Sequence, residues 1–376
     1  MSEPTIFCFF PLASVGGTEL VHLDVLKALG ASHKEIYIRY RVNPWKGMAF
    51  KATSEARNEG IQLLSSFKLH GSVTFLSSYL EAPRLGRLIR SCYAKRLARR
   101  INSCPNALVL FWHRESIEFL WPYLDSHVRI IDIVHNNSNN QSPDAHYLLN
   151  DWAPRINHRV LVNGGLKKWI LPLYAAANYP DELANRISTI NHTVTIPDEL
   201  PNKSTAVFNV LFVGRDSKEK RVELFLEITK RLAHIPFIQF HLIGIEREVA
   251  IGANLTSHGV LIDRAQIESM YARAHVLVLT SESEGFPKVI AEAMAFGCIP
   301  IATAVGAIPE MLNHGECAFL TDPKQCVEET IEYIDRLRQD PVDFTERSKK
   351  AYFYAKNHFD SERFNVEWRA LIQSLG

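Results

Sequence analysis

Residues 281–300 read SESEGFPKVIAEAMAFGCIP. The run VLVLT at 276–280 leads into them, and IPIA at 299–302 closes them. Both flanking runs are short, apolar and rich in β-branched residues, which predicts two strands buried on both faces. Pro287 suits a first helical turn, where its missing N–H costs nothing. Gly297 suits a helix exit. On the intervening helix, Val289, Ile290, Ala293, Met294 and Phe296 cover one broad side, and Lys288, Ala291, Glu292 and Ala295 lie on the other. Two alanines beside Glu292 imply close packing, so its carboxylate is not expected in bulk water. A desolvated carboxylate costs several kcal/mol unless donors meet it. Lys288 at i−4 is one partner, in the weaker order for a helical ion pair; that gives a salt bridge at a helix edge. A sugar diol, with two hydroxyls for one carboxylate, is the other.

The strand–helix–strand pattern repeats in both directions. Strands are expected at 6–10, 36–40, 73–76, 108–112, 129–134 and 160–163, then at 210–213, 240–243, 260–262, 276–280 and 299–302. Two such sets imply two doubly wound parallel sheets with helices on both faces. The chain of 376 residues is too long for one ordinary core, which also favours two domains. PDELPNKSTAV at 197–207 reads as the linker, and 360–375 as a last helix. A net charge of +1 argues against a nucleic-acid binder. Six cysteines without paired spacing fit a reduced, cytoplasmic setting. The N-terminus lacks a basic region followed by an apolar run, so no secretory leader is expected. No stretch approaches the ~18 apolar residues of a membrane span.

In such sheets ligands bind beyond the carboxyl ends of strands. LFVGRDSKEKRVELFLE begins at Leu211 and places Gly214 and Arg215 at a strand end, with Lys220 five residues on. Two cations so spaced can converge on a diphosphate, or form a surface charge cluster. Lys218 and Arg221 read as solvated. FFPLASVGGTELVHL begins at Phe9, and Gly16 and Gly17 precede a helix. Glycine lets backbone N–H groups approach an anion, although an ordinary tight turn fits the pair as well. RIIDIVHNNSNN ends a strand at His135, and His113 follows another. Asn136 and Asn137 follow His135 beyond the same strand end, where a ligand would lie. No Asp-x-Asp and no His/Cys cluster with metal-ligand spacing occurs, so no metal ligands are expected.

The run E-G-F-P-x-x-x-x-E-A-M-A-x-G-x-P, followed by V-G-A-I-P-E at 305–310, closely resembles the retaining glycosyltransferases of family 4, whose signature is two Glu separated by seven residues. The match is dense over about 211–320 and thinner in the N-terminal half. The resemblance implies an α/β GT-B fold: two Rossmann-like doubly wound parallel-sheet domains with the active site in the cleft between them. Residues 1–196 then bind the acceptor and 197–359 the nucleotide-sugar donor, while 360–376 form a helix crossing back to the N-terminal domain. It implies that Glu284 lies against the donor sugar, that Glu292 binds the ribose diol, and that Gly285 and Phe286 offer backbone N–H groups to the donor. Arg215 and Lys220 hold the diphosphate and stabilise it as leaving group. Gly16 and Gly17 face the donor phosphates across the cleft, Glu19 lies near the acceptor or supports that loop, and His135 faces the transferred sugar. One departure stands out: the residue after the lysine is usually Gly in the family and is Arg221 here.

The implied activity is retaining, metal-independent transfer of a hexose-type sugar from a UDP- or GDP-linked donor to a glycan or glycolipid hydroxyl, with no further cofactor. Bacterial cell-surface polysaccharide synthesis is the expected setting. A nucleotide-sugar epimerase of the same fold and a non-catalytic sugar-nucleotide-binding subunit are the alternatives. PRLGRLIRSCYAKRLARRIN at 83–102 adds a basic helix whose apolar stripe is Leu85, Leu88, Ile89, Cys92, Tyr93 and Leu97. Arg87, Arg90, Lys95, Arg96, Arg99 and Arg100 make it either a solvated outer face or a surface for anionic lipid on the inner membrane face.

Overall fold

The computed structural model describes residues 3–12, 17–30, 32–40, 64–76, 86–112, 114–135, 149, 152–204, 206–249, 252, 254–261 and 263–375. Seven strands form the first sheet: β1 Thr5–Leu12, β2 Lys34–Tyr40, β3 Ser72–Phe75, β4 Ala107–Phe111, β5 Arg129–Val134, β6 His158–Leu161 and β7 Ile187–Thr189. Six form the second: β8 Phe208–Val213, β9 Ile238–Ile243, β10 Leu255–Ser257, β11 Val276–Leu279, β12 Ile299–Thr303 and β13 Phe319–Thr321. The orders are β3-β2-β1-β4-β5-β6-β7 and β10-β9-β8-β11-β12-β13. Both central pairs, β1–β4 and β8–β11, are parallel and mark the point where strand order reverses. A crevice opens there, beyond the carboxyl ends.

Alternation along the strands explains the continuous apolar runs. Phe7 and Phe9 of β1 pack on one face of the first sheet, and Ile6, Cys8 and Phe10 on the other. In β8, Leu211 faces one way and Val210 and Phe212 the other. Across β5 and β6, Asp132 opposes Arg159, and the buried pair is joined at 2.8 Å. This tie fixes the two strands whose ends carry His135 and Asn163.

One sequence expectation needs correcting. The strand expected at 260–262 lies earlier, as β10. Leu255 is the buried anchor, whereas Val260 is 43% exposed and Gly259 turns the chain at φ 64°. The three-residue strands β7 and β13 were not foreseen, being too short to show a period. Within the expected linker, Lys203 donates to the carbonyls of Tyr271 and Ala272, and Tyr352 donates to those of Pro197 and Asp198. The last helix, Ser361–Ser374, places Phe364, Trp368 and Leu371 in the core of the first sheet. Arg369 donates to the carbonyl of Ala28 there.

The basic helix spans Gly86–Asn102. Its buried face is Ala94, Leu97, Ala98 and Ile101 with Tyr93 packed beside it; of the expected stripe Cys92 is instead exposed, and the side chains of Leu85, Leu88 and Ile89 lie outside the described residues. Arg100 is tied to Glu35 at 2.6 Å. Arg90 lies over the Phe119 ring and Lys95 over that of Tyr123. Lys95, Arg96 and Arg99 are exposed, and the Arg87 side chain lies outside what is described. Among the described residues no helix is long and apolar enough to cross a membrane.

Candidate active site

The crevice of the second sheet is built from three loops. After β8 come Gly214, Arg215 and a 3-10 turn, Lys218–Lys220; after β11 comes 280–287. The two are sewn together, since Glu282 N donates to Glu219 O and Thr280 Oγ1 to the carbonyls of Lys220 and Arg221. This brings Lys220 Nζ to 2.5 Å from Glu284 Oε1, with Ser281 Oγ donating to the same oxygen. Both ions of the pair are largely desolvated, at 14% and 9% side-chain exposure. The third loop, after β12, packs Gly306 onto this one. At φ 55°, a Cβ there would sit 1.9 Å from Glu284 O, so only glycine fits. The helix Lys288–Ala295 starts at the crevice, and no side chain caps its N-terminus.

Glu292 is 5% exposed, and each of its oxygens accepts one hydrogen bond. Arg264 Nη1 donates to Oε1 at 2.8 Å and Tyr271 OH to Oε2 at 2.9 Å. Lys288, offered by the sequence as its partner, instead reaches Asp24 at 3.3 Å on the helix Gly17–Ala28 of the other unit. Neither Arg264 nor Tyr271 was expected from the sequence as a partner of Glu292, because the pairing joins two helices rather than one turn. Burial pulls the Arg264 pKa down, but Glu292 outweighs it and holds Arg264 above its ordinary value. Burial, aided by Glu292, pushes the Tyr271 hydroxyl far up.

Arg215 is exposed and faces Glu219 at 3.7 Å, so the two cations do not share a partner here. Arg221 is not solvated. Its backbone is left-handed, at φ 47° and ψ 48°, and its guanidinium donates to three backbone carbonyls, of Thr280, Pro323 and Ser281. A left-handed residue with a Cβ costs about 1–2 kcal/mol. The expectation of a free surface arginine fails because the fork finds carbonyls that no local spacing reveals.

Across the crevice, Asn163 caps the helix Gly164–Ala176 with its Oδ1 and donates its Nδ2 to Gly285 O at 3.0 Å. Glu310 of the V-G-A-I-P-E run lies against Gly164, where a Cβ would be 2.3 Å from its Oε1. The signal N-G-G at 163–165 was readable as a helix start and was not singled out. His135 sits at the floor, with His192 at 5.4 Å and His22 at 5.7 Å between ring centres. His192 lies edge-on to Phe286, at 4.8 Å. His22 is fully buried, and among the described residues neither of its nitrogens has a hydrogen-bond partner, nor has the buried His135 Nε2. Gly17 begins its helix, and the Glu19 side chain is not described. Gly16, His113, Asn136 and Asn137 lie outside the described residues. Among those described, no three His, Cys, Asp or Glu are grouped to hold a metal.

Burial holds all three imidazoles below their ordinary value of 6.5, His135 at about 4, with His135 also lowering His22 and His192. Between 6.5 and 4 the unfolded chain therefore binds more protons than the folded one, so stability falls as pH drops through that window. A lower urea midpoint at pH 5 than at pH 7 is expected. His22→Leu narrows the difference by removing one such group.

Residues 200–358 match the family described as glycosyl transferases group 1. An uncharacterized 41.2 kDa protein of the cps region of Klebsiella pneumoniae is 27% identical over 161 residues, 40% of this chain and 42% of that protein. An uncharacterized glycosyltransferase of Haemophilus influenzae is 25% identical over 202 residues, 50% of this chain and 55% of its own. The chain thus spans about half the length of the curated relatives it matches. A structure of Anabaena HepE in complex with UDP and glucose is similar at a TM-score of 0.72 and 16% identity, over 99% of this chain and 100% of that one. The likeness establishes the shared two-sheet GT-B fold.

Proposed function

We propose that this chain, whose residues 200–358 match the group 1 glycosyl transferases, moves a hexose-type sugar from a nucleoside diphosphate to a hydroxyl of a glycan or glycolipid. The observation that carries this reading is the desolvated Lys220–Glu284 pair at the β8–β11 switch point, beside an uncapped helix N-terminus. Such a terminus favours phosphate oxygens. The Lys220 ammonium then meets the diphosphate, joined by Arg215, whose exposed fork swings from Glu219. Glu284, released from Lys220, accepts from donor-sugar hydroxyls. Glu292 accepts from the ribose diol with its remaining lone pairs. The N–H groups of Gly285 and Phe286 point to the same donor, and His135 is neutral and offers its nitrogen to the transferred sugar.

In the transfer, the anomeric carbon–oxygen bond to the diphosphate breaks and a bond to the acceptor oxygen forms on the same face, with retention. The acceptor proton passes to the departing diphosphate oxygen. Positioning and stabilisation of the leaving charge supply most of the rate. Lys220 and Arg215 carry that charge, so no divalent ion is required. The N-terminal unit takes the acceptor. Its exposed Lys95, Arg96 and Arg99 suit an anionic membrane face carrying a glycolipid; vesicle binding that ignores charge reversal at all three would remove this element. The cps-region relative supports a surface-polysaccharide setting, and the UDP and glucose held by the Anabaena protein make a UDP-hexose the first donor to try.

The test is donor consumption in EDTA, followed by chromatography of the nucleotide. Release of the free nucleoside diphosphate at a rate unchanged by added magnesium is expected. A donor left intact, or isomerised with its nucleotide still attached, overturns the reading.

A further inference from the structure

Arg221 occupies a position with two unusual properties at once. Its backbone is left-handed, the conformation for which glycine is the ordinary residue. Its side chain, although on the chain's own turn, is directed inward. Nε donates to Thr280 O at 2.6 Å, Nη1 to Pro323 O at 3.0 Å and Nη2 to Ser281 O at 3.3 Å. The loops after β8, β11 and β13 therefore meet at one guanidinium. Thr280 returns the contact, with Oγ1 donating to Lys220 O at 2.8 Å and to Arg221 O at 3.0 Å. Every acceptor is a main-chain carbonyl, so what is fixed is the path of the loops.

We infer that Arg221 is a positioning residue whose fork ties the loops after β8, β11 and β13 together and holds Lys220 against Glu284 before a donor arrives. The left-handed turn separates the directions of two successive side chains: Lys220 leaves toward Glu284, and Arg221 toward the loop carbonyls. A lysine has one point of charge and cannot span three acceptors, whereas the planar fork of arginine can. A glycine would keep the turn and lose the tie. The role concerns this chain's own departure from the family pattern, and it rests on the proposed donor site.

Arg221→Gly and Arg221→Lys test it, by donor turnover and by hydrogen exchange. Arg221→Gly relaxes the backbone, so a merely conformational role predicts unchanged or better behaviour. A positioning role instead predicts a kcat lower by roughly 10²-fold with KM nearly unchanged, the scale of a 1 Å misplacement. It also predicts partial recovery of Arg221→Gly by millimolar guanidinium, and little recovery in Arg221→Lys. Amides of 214–221 and 281–286 should exchange faster in both variants. Faster exchange with unchanged kcat, or unchanged exchange, overturns the inference. If wild type consumes no donor, the proposed function falls, and the exchange of these two loops alone still decides whether Arg221 ties them. Should Arg221→Gly not fold, Arg221→Lys carries the same comparison.

Discussion

Lys220→Ala lowers kcat/KM by about 10²–10³-fold, the usual cost of removing one donor aimed at a developing negative charge. Two consequences of one deletion add to this size. In the donor complex, the leaving diphosphate loses its buried cation, and exposed Arg215 cannot replace it from the crevice rim. In the free protein, Glu284, whose side chain is 9% exposed in the intact pair, keeps Ser281 but loses its ion partner. Glu284→Gln removes the other half of the pair. If the two act as one unit, Lys220→Ala/Glu284→Gln is no worse than the more damaging single change. Steady-state kinetics on the three variants checks this. Additive losses would mean that the ion pair is incidental to the chemistry.

Glu292→Gln weakens binding of the donor nucleotide by about 10–100-fold, because a hydrogen bond to a charged group contributes ~1.5–3 kcal/mol. The structural alternative is concrete. Arg264 and Tyr271 each donate to one oxygen, and a packed helix-to-helix tie alone would account for both bonds. The two roles separate with a 2′-deoxy nucleotide. A diol contact makes the ribonucleotide bind wild type better than its deoxy counterpart, and Glu292→Gln erases most of that preference. A purely structural tie lowers the melting temperature and leaves the preference intact.

What the sequence displayed and what it hid divide along a physical line. Strand alternation and helix periodicity are local, so eleven expected strands foretold most of both sheets, and Pro287 and Gly297 bounded their helix within a residue or two. The carboxylates were legible because the loop–helix run carrying them is long and continuous. Their partners were not. Glu292 meets Arg264 and Tyr271, Lys288 meets Asp24, and Asn163 meets Gly285, each across a gap in sequence that only the fold closes. Arg221 shows the limit most sharply: a cation in a charged run reads as solvated until three carbonyls from two distant loops surround it. His22 escaped for the opposite reason, since a histidine among Leu20, Val21 and Leu23 reads as filler on a helix.

Calorimetric titration of nucleoside diphosphates into wild type and Lys220→Ala, both in EDTA, tests the central claim most directly. The account predicts that one of UDP, GDP, ADP and dTDP binds wild type without metal and binds the variant at least about tenfold more weakly, a difference of ~1.4 kcal/mol. No binding by any of the four, or equal binding by both proteins, would contradict it.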